Sequence, residues 1–385
     1  MRGSLFADST GFSEKNLFRD EGILYSDFLP DKLPHREGHA RFLADCLRPI
    51  TGGKSPENVF IWGPAGVGKT SVAKFVLREM KEHTEIPVVY INCWQNDTRH
   101  AVLTTIAYAL GSFAPRRGTA TDEIFEKACE GMKRRGGKGL VIVLDEIDKL
   151  LANDGGRLLY DLARGPVFTG KTGIVMISND EYALRKLDDR TRSSLSYQES
   201  SYPAYSFEEL KGIFSERIGA AFVEGSVKAG VNSAVARIVA DSGGDVRLGL
   251  DCLLKAGRLA ESDGKDFSVE HVQKMIGKIQ NSKTKAIITG LERNLLGIVR
   301  ILAATGIREK TTGELLADYS REMGETNERT FRNYLTELET KGVITSVMSG
   351  KGQRGKTRII TLKNSEMVRR ILQSANEDGK GGKEK

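Results

Sequence analysis

The chain has 385 residues, 39% of them hydrophobic and 28% charged, with a net charge of +7; it is too long for one ordinary core and reads as two or three domains of a soluble protein. No apolar run is long enough to span a bilayer and residues 1–20 lack the apolar centre of a signal peptide, so membrane and secreted classes drop out and a cytoplasmic protein with no membrane partner is expected. Cys46, Cys93, Cys129 and Cys252 form no CxxC pair, and His35 and His39 have no HExxH partner, which argues against a disulfide framework or a zinc site.

Taken in chain order, residues 1–20 read as a loose leader. Helical periodicity begins near Arg36, with Ala40, Leu43, Cys46, Leu47 and Ile50 on one stripe. Residues 58–62 predict a short apolar strand. A glycine-rich turn follows, then a helix over about 69–82, a strand over 86–92 and a helix over 102–110. Residues 140–144 are a continuous apolar run, as expected of a parallel strand buried on both faces, and 173–178 are another. Strands alternating with helices imply βαβ units, hence a parallel sheet with flanking helices. After Pro203 the strand signal fades, and 207–260 reads as several helices forming a lid, with Gly243 and Gly244 between two of them. Residues 281–285 form a polar, basic linker. Helices are expected over 290–305, 311–323 and 327–341, the last with Phe331, Tyr334, Leu335 and Leu338 on one face and Gly342 at its end. Strands at 343–347 and 357–362 then flank a glycine-rich turn, a hairpin. Three helices and a basic hairpin are the plan of a winged helix. The expected domains are a leader 1–20, an α/β base 21–203, a helical lid 204–280, a winged helix 286–373 and a disordered tail 374–385.

Gly63-Pro64-Ala65-Gly66-Val67-Gly68-Lys69-Thr70, followed by Ser71, matches GxxxxGK[ST] between a strand and a helix. Its backbone N–H groups wrap phosphates, Lys69 reaches the β- and γ-phosphates, and Thr70 holds Mg²⁺; the helix N-terminus adds positive potential. Downstream, four apolar residues end in Asp145 and Glu146. Asp145 is placed to organise Mg²⁺ and its waters, and Glu146 to orient or deprotonate an attacking water. Asn179, closing the next strand, is either a hydrogen-bond partner of the γ-phosphate or lytic water, or a turn residue. Arg190, near Arg192, is either a finger reaching across a subunit interface or a surface ion pair. Arg247, opening a lid helix, either reaches the γ-phosphate or pairs with Asp245 or Asp251.

Charge is concentrated near the C-terminus. Residues 341–371 hold eight Lys or Arg (Lys341, Lys351, Arg354, Lys356, Arg358, Lys363, Arg369, Arg370) against Glu366 alone. That local excess suits a DNA-binding face. In a winged helix the third helix enters the major groove, which makes Asn327, Arg329, Arg332 and Asn333 candidate base contacts. Lys351, Arg354, Lys356 and Arg358 decorate the wing and suit phosphate or the minor groove. Each arginine, taken singly, is equally a solvated surface charge.

Together these residues resemble the archaeal origin-recognition initiator branch of the AAA+ ATPases. The resemblance is carried by Leu33-Pro34-His35-Arg36-Glu37, the phosphate loop, Tyr90-Ile91-Asn92-Cys93, the segment from Asp145 to Leu150, Ile177-Ser178-Asn179-Asp180, the segment from Arg190 to Leu195 and Gly244-Asp245-Val246-Arg247, in that order. It implies an α/β P-loop AAA+ core, a helical lid and a C-terminal winged helix. It further implies Pro34, His35 and Arg36 near the adenine, Asn179 and Arg247 as γ-phosphate sensors, and Arg190 as the finger. A helical insertion corresponding to 154–167 would touch DNA through Arg157 and Arg164, although Gly155-Gly156 weakens it as one helix. The activity implied is slow ATP hydrolysis, with ATP/ADP and Mg²⁺ as cofactors. The partners implied are double-stranded origin DNA, the replicative helicase and paralogous initiators, on the nucleoid. Two other readings remain open here: an ATP-switched transcription regulator and a protein-remodelling ATPase.

Overall fold

The computed structural model describes residues 16–113, 118–136, 138–154, 156–165, 168, 171–304, 309–348 and 358–378. They fold as two compact units, the first ending at Val272 and the second beginning at Gln273. Among the described residues no helix is long and apolar enough to cross a membrane.

The first unit opens with α1 (Glu37–Leu47) and β1 (Asn58–Trp62), then α2 (Lys69–His83), β2 (Val88–Asn92), α3 (Arg99–Ala109), α4 (Thr121–Arg134) and β3 (Leu140–Asp145). It continues with α5 (Ile147–Asp154), α6 (Arg157–Arg164), β4 (Thr172–Ser178), α7 (Asp189–Leu195) and β5 (Tyr197–Ser201). The strands make one parallel sheet in the order β2-β3-β4-β1-β5. Every residue of β3 and β4 is buried, which is why both read as unbroken apolar runs. Register pairs Trp62 with Ser178 and Asp145 with Ile177. The residues that follow β1, β3 and β4 therefore emerge side by side at the carboxyl edge of the sheet, where open α/β sheets bind ligands.

Helix α4 and strand β5 are among the elements not expected from the sequence. Helix α4 buries Ile124, Ala128, Gly131 and Met132 against the sheet's core cluster, a 4-3-1 spacing with helical periodicity. Strand β5, Tyr-Gln-Glu-Ser-Ser, is an edge strand paired only with β1, so no apolar run marks it. The 154–167 stretch is split, as the glycine pair suggests: α5 ends at Asp154, and α6 starts after Gly156 at φ +93°.

The lid follows as α8 (Phe207–Ala221), α9 (Val231–Asp241) and α10 (Val246–Ser262), entered through a Ser206–Glu209 capping box. The expectation of a loose leader over 1–20 fails at 16–20. Leu17 and Phe18 are buried, the Phe18 ring lies 4.6 Å from that of Phe222, and the Arg19 and Asp20 amides donate to Ala221 O. These apolar side chains complete the lid core; residues 1–15 lie outside the described residues.

The expected linker at 281–285 is also corrected, because α11 (Val269–Thr289) runs straight through it. Asn-Ser-Lys-Thr-Lys is polar but holds neither proline nor glycine, so nothing interrupts the backbone ladder. The second unit continues with α12 (Arg293–Ala304), β6 (Glu309–Thr311), α13 (Thr312–Met323), α14 (Glu328–Thr340), β7 (Ile344–Met348), β8 (Arg358–Leu362) and α15 (Ser365–Asp378). Its strands form an antiparallel sheet in the order β6-β8-β7. Leu295, Ile298, Leu302, Leu315, Phe331, Leu335, Leu338, Ile360 and Val368 make its core. This is the winged-helix arrangement. The three-residue β6 was not legible in the sequence. Helix α15 extends to Asp378, past the start of the expected tail at 374; residues 379–385 lie outside the described residues.

Candidate functional site

Residues 63–68 lead from β1 into α2 and require glycine at two points of close approach. A Cβ on Gly63 (φ +152°) would stand 2.2 Å from Tyr202 O. One on Gly66 (φ +75°) would stand 2.8 Å from Asp245 Cα, because the lid rests on the loop at this residue; the Val246 amide donates to Gly66 O at 3.3 Å. The first turn of α10 is thereby fixed over the phosphate loop.

Lys69 is only 7% exposed, and its ammonium donates to Gly63 O (2.8 Å), Pro64 O (2.6 Å) and Asn179 Oδ1 (2.8 Å). Burial pushes its pKa down to about 8; Arg247 acts in the same direction, and Asp145 and Glu146 oppose it. Thr70 Oγ1 donates to Asp145 Oδ2 at 2.7 Å, and the Glu146 amide donates to Asp145 Oδ1 at 3.0 Å. A hydroxyl and a carboxylate in contact form an all-oxygen donor pair suited to a hard divalent cation. Glu146 has φ +57°, strained for a residue with a Cβ. Burial, then the neighbouring Asp145, raise its carboxyl above the usual range. Cys93, just past β2, is buried, and its thiol is pushed up to about 12 by burial and then by Asp145, leaving it unreactive.

Arg247 lines the same cleft from α10. Its Nε and Nη2 donate to the two carboxylate oxygens of Asp245 at 3.0 and 2.8 Å, so the ion pair is the contact it makes here. The cleft has a volume of about 770 Å³. Apolar Phe28, Leu29, Pro34, Ile213 and Leu250 share its lining with Ala65, Gly66, Gly68, Lys69, Thr70, Ser71, Asp145, Glu146 and Asn179. Gly63, Pro64 and Val67 lie behind this wall, the first two as carbonyl acceptors of Lys69 and the last fully buried.

The expected trio at the adenine divides. Pro34 and Arg36 line the cleft; His35 does not, because φ +64° turns its ring toward Gly212. Arg36 is buried, and its guanidinium is engaged in bracing. It donates to Val67 O (3.0 Å), Pro203 O (2.8 Å) and His35 O (3.2 Å), with its carbon 3.9 Å from the Tyr205 ring centroid. Arg190 stands exposed on α7 and is not among the cleft residues, while Arg192 pairs with Asp189. Arg157 and Arg164 are exposed at the two ends of α6, Arg164 donating to Ser194 Oγ at 3.0 Å.

In the second unit, α14 buries Phe331, Leu335 and Leu338 and presents Arg329, Arg332 and Asn333 to solvent. Arg332 pairs with Glu328 at 2.9 Å. Asn327 is not free for a base contact, since its side chain caps the helix by accepting from Thr330 N at 2.8 Å. Arg358 is exposed at the start of β8; Lys351, Arg354 and Lys356 lie outside the described residues.

The AAA domain family matches residues 53–183, the Cdc6 AAA+ ATPase-type lid domain 211–275, and the CDC6 C-terminal winged helix domain 293–369. Over 371 residues, 93% of each chain, the sequence is 34% identical to ORC1-type DNA replication protein 1 of Sulfurisphaera tokodaii. The chain belongs to the ORC1-type DNA replication proteins. The counterpart in Pyrococcus furiosus is also 34% identical, across 93% of this chain and 90% of that one. The structure of Aeropyrum pernix ORC1 in complex with DNA superposes with a TM-score of 0.72 at 30% identity, covering 94% of this chain and 98% of that one. The protein is therefore a replication initiator built on a nucleotide-binding AAA+ ATPase core. Sequence reasoning missed the wall formed by Ile23 and residues 26–33, whose signal was the apolar Phe28-Leu29-Pro30 run in a polar segment, and it gave Tyr90 no role.

Proposed function

We propose that this ORC1-type protein binds ATP and ADP with Mg²⁺ in the cleft, hydrolyses ATP slowly, and recognises double-stranded origin DNA through the winged helix. One observation carries the nucleotide half: Lys69, Thr70, Asp145, Glu146 and Asn179 from the sheet edge and Arg247 from the lid all line one cleft. Lys69 exchanges its loop carbonyls for the β- and γ-phosphates. Thr70 and Asp145 hold Mg²⁺, which neutralises phosphate charge. Asn179, freed from Lys69, holds the γ-phosphate or the attacking water, and Glu146 takes that water's proton. Arg247 leaves Asp245 for the γ-phosphate, so that nucleotide state sets the lid angle. Arg190, exposed and away from its own cleft, serves the cleft of a neighbouring initiator on DNA.

A pH dependence follows. Phosphates raise the Lys69 pKa from its value of about 8 in the free protein, so above that pH binding takes up a proton. Below it Lys69 is already charged and no uptake occurs. Nucleotide affinity is expected to fall by up to about tenfold per pH unit from about pH 8 to 10. Calorimetry in buffers of different ionisation heat checks it: proton uptake at about pH 8.5 and none at about pH 6.5. No uptake at the higher pH would reject the assignment.

On DNA, α14 enters the major groove, Arg329, Arg332 and Asn333 read base edges, and Lys351, Arg354, Lys356 and Arg358 hold backbone or minor groove. Arg157 and Arg164 add phosphate contacts from the base. The bound initiator recruits the replicative helicase and works beside paralogous initiators on the nucleoid, in the cytoplasm. Footprinting on the source chromosome with and without ATP tests this reading. Arg332→Ala should cost about 1–3 kcal/mol at the preferred site and relax base preference at one position. A uniform loss on all duplexes would make Arg332 a phosphate contact instead.

A further inference from the structure

Tyr90 lies on β2, lines the cleft, and donates its hydroxyl to Asp145 Oδ2 at 2.6 Å. That oxygen also accepts the Thr70 hydroxyl at 2.7 Å, and Asp145 Oδ1 accepts the Glu146 amide at 3.0 Å. The ladder explains the reach. Tyr90 pairs with Val143 and Asn92 with Asp145, so the phenol crosses diagonally to the strand's terminal carboxylate. A carboxylate has about four acceptor positions. Two hydroxyls fill those of Oδ2 and the amide takes one on Oδ1, which leaves a single acceptor direction on Oδ1. A phenol keeps its proton at neutral pH and so remains a donor to the carboxylate. The Lys74 ammonium, 4.9 Å from the ring centroid, holds the ring from its face.

We propose that Tyr90 is a positioning residue for ATP turnover: its hydroxyl fixes the Asp145 carboxylate and leaves an acceptor site on Oδ1 with which Asp145 would hold the metal. This rests on the reading above that Thr70 and Asp145 hold Mg²⁺. Ring packing alone predicts something different, since phenylalanine keeps the ring and its contact with Lys74 and loses only the hydroxyl.

The test compares wild type, Tyr90→Phe and Asp145→Asn as full-length proteins. A fluorescent ATP analogue is bound in EDTA and then titrated with Mg²⁺, and turnover is measured at fixed Mg²⁺. In EDTA, Tyr90→Phe should bind within about twofold of wild type, because Tyr90 makes no hydrogen bond to the phosphate loop or lid. Its Mg²⁺ midpoint should rise about tenfold, the usual loss when an outer partner of a metal ligand is removed. At subsaturating Mg²⁺ kcat should fall, while KM for ATP at saturating Mg²⁺ stays put. An unmoved midpoint in Tyr90→Phe beside a shifted one in Asp145→Asn overturns the role of Tyr90 alone. Unmoved midpoints in both variants overturn the metal-site reading and this proposal with it. A parallel loss of affinity in EDTA assigns Tyr90 to the scaffold and also overturns the proposal.

Discussion

Lys69→Ala is expected to abolish nucleotide binding, raising Kd by between two and more than three orders of magnitude. The ammonium is nearly enclosed and spends all its donors on two loop carbonyls and Asn179. A charge held this way is already desolvated, as its lowered pKa records, so much of the cost of meeting phosphate is met before ATP arrives. Removing one partner of a buried charged contact costs about 3–5 kcal/mol, and each 1.4 kcal/mol is a factor of ten. The alternative is that alanine merely loosens the loop. Melting separates the two. Without nucleotide the variant should melt close to wild type, since the substitution also removes an unpaid burial of charge. With nucleotide at about a hundred times the wild-type Kd, wild type gains about 2.7 kcal/mol and the variant almost nothing. Retained affinity would refute the site.

The parts of this molecule legible in the sequence are those where local pattern and burial coincide. Val141-Ile142-Val143-Leu144 is apolar throughout because β3 is covered on both faces, and Asp145 ends it because the chain there leaves the core for the cleft. The phosphate loop is legible because the backbone itself demands Gly63 and Gly66. What escaped is set by tertiary partners. Strand β5 pairs only with β1, and its polar face needs no apolar code. The polar stretch at 281–285 resembles a linker in composition, yet its residues tolerate a helix, and α11 continues through them. Arg36 carried a family signal for the adenine, but Val67 O and Pro203 O, the latter 167 residues along the chain, claim its donors. Tyr90 stood only within a segment that carries the family resemblance, with no role of its own, because its partner, Asp145, is 55 residues away and becomes a neighbour only in the register of β2 on β3. Local chemistry thus marked the groups that line the cleft, and distant contacts decided how those groups are held.

Glu146→Gln is the counterpart of the lysine change: it should leave ATP bound and slow its hydrolysis by about 10²–10⁴, the usual contribution of a general base. Glutamine keeps the shape and the strained φ of +57°, so the loop after β3 should stand unchanged. What it loses is the ability to accept a proton. Burial and then Asp145 raise the Glu146 carboxyl, which makes its carboxylate a better base than that of an exposed glutamate. Asp145 is suited to a different task, with its oxygens already accepting from Tyr90, Thr70 and the Glu146 amide. Their hydrogen bonding thus distinguishes the two adjacent acids, and the proposed division of labour, Asp145 organising the site and Glu146 acting on water, rests on it. Single-turnover hydrolysis with equilibrium binding on the same preparation decides the matter. A loss of turnover below about tenfold removes the base assignment. A matching loss of affinity moves Glu146 into the binding site. Turnover lost with affinity kept yields a variant arrested with ATP in the cleft, in which the contact of Arg247 with nucleotide persists and its effect on DNA binding can be read without hydrolysis intervening.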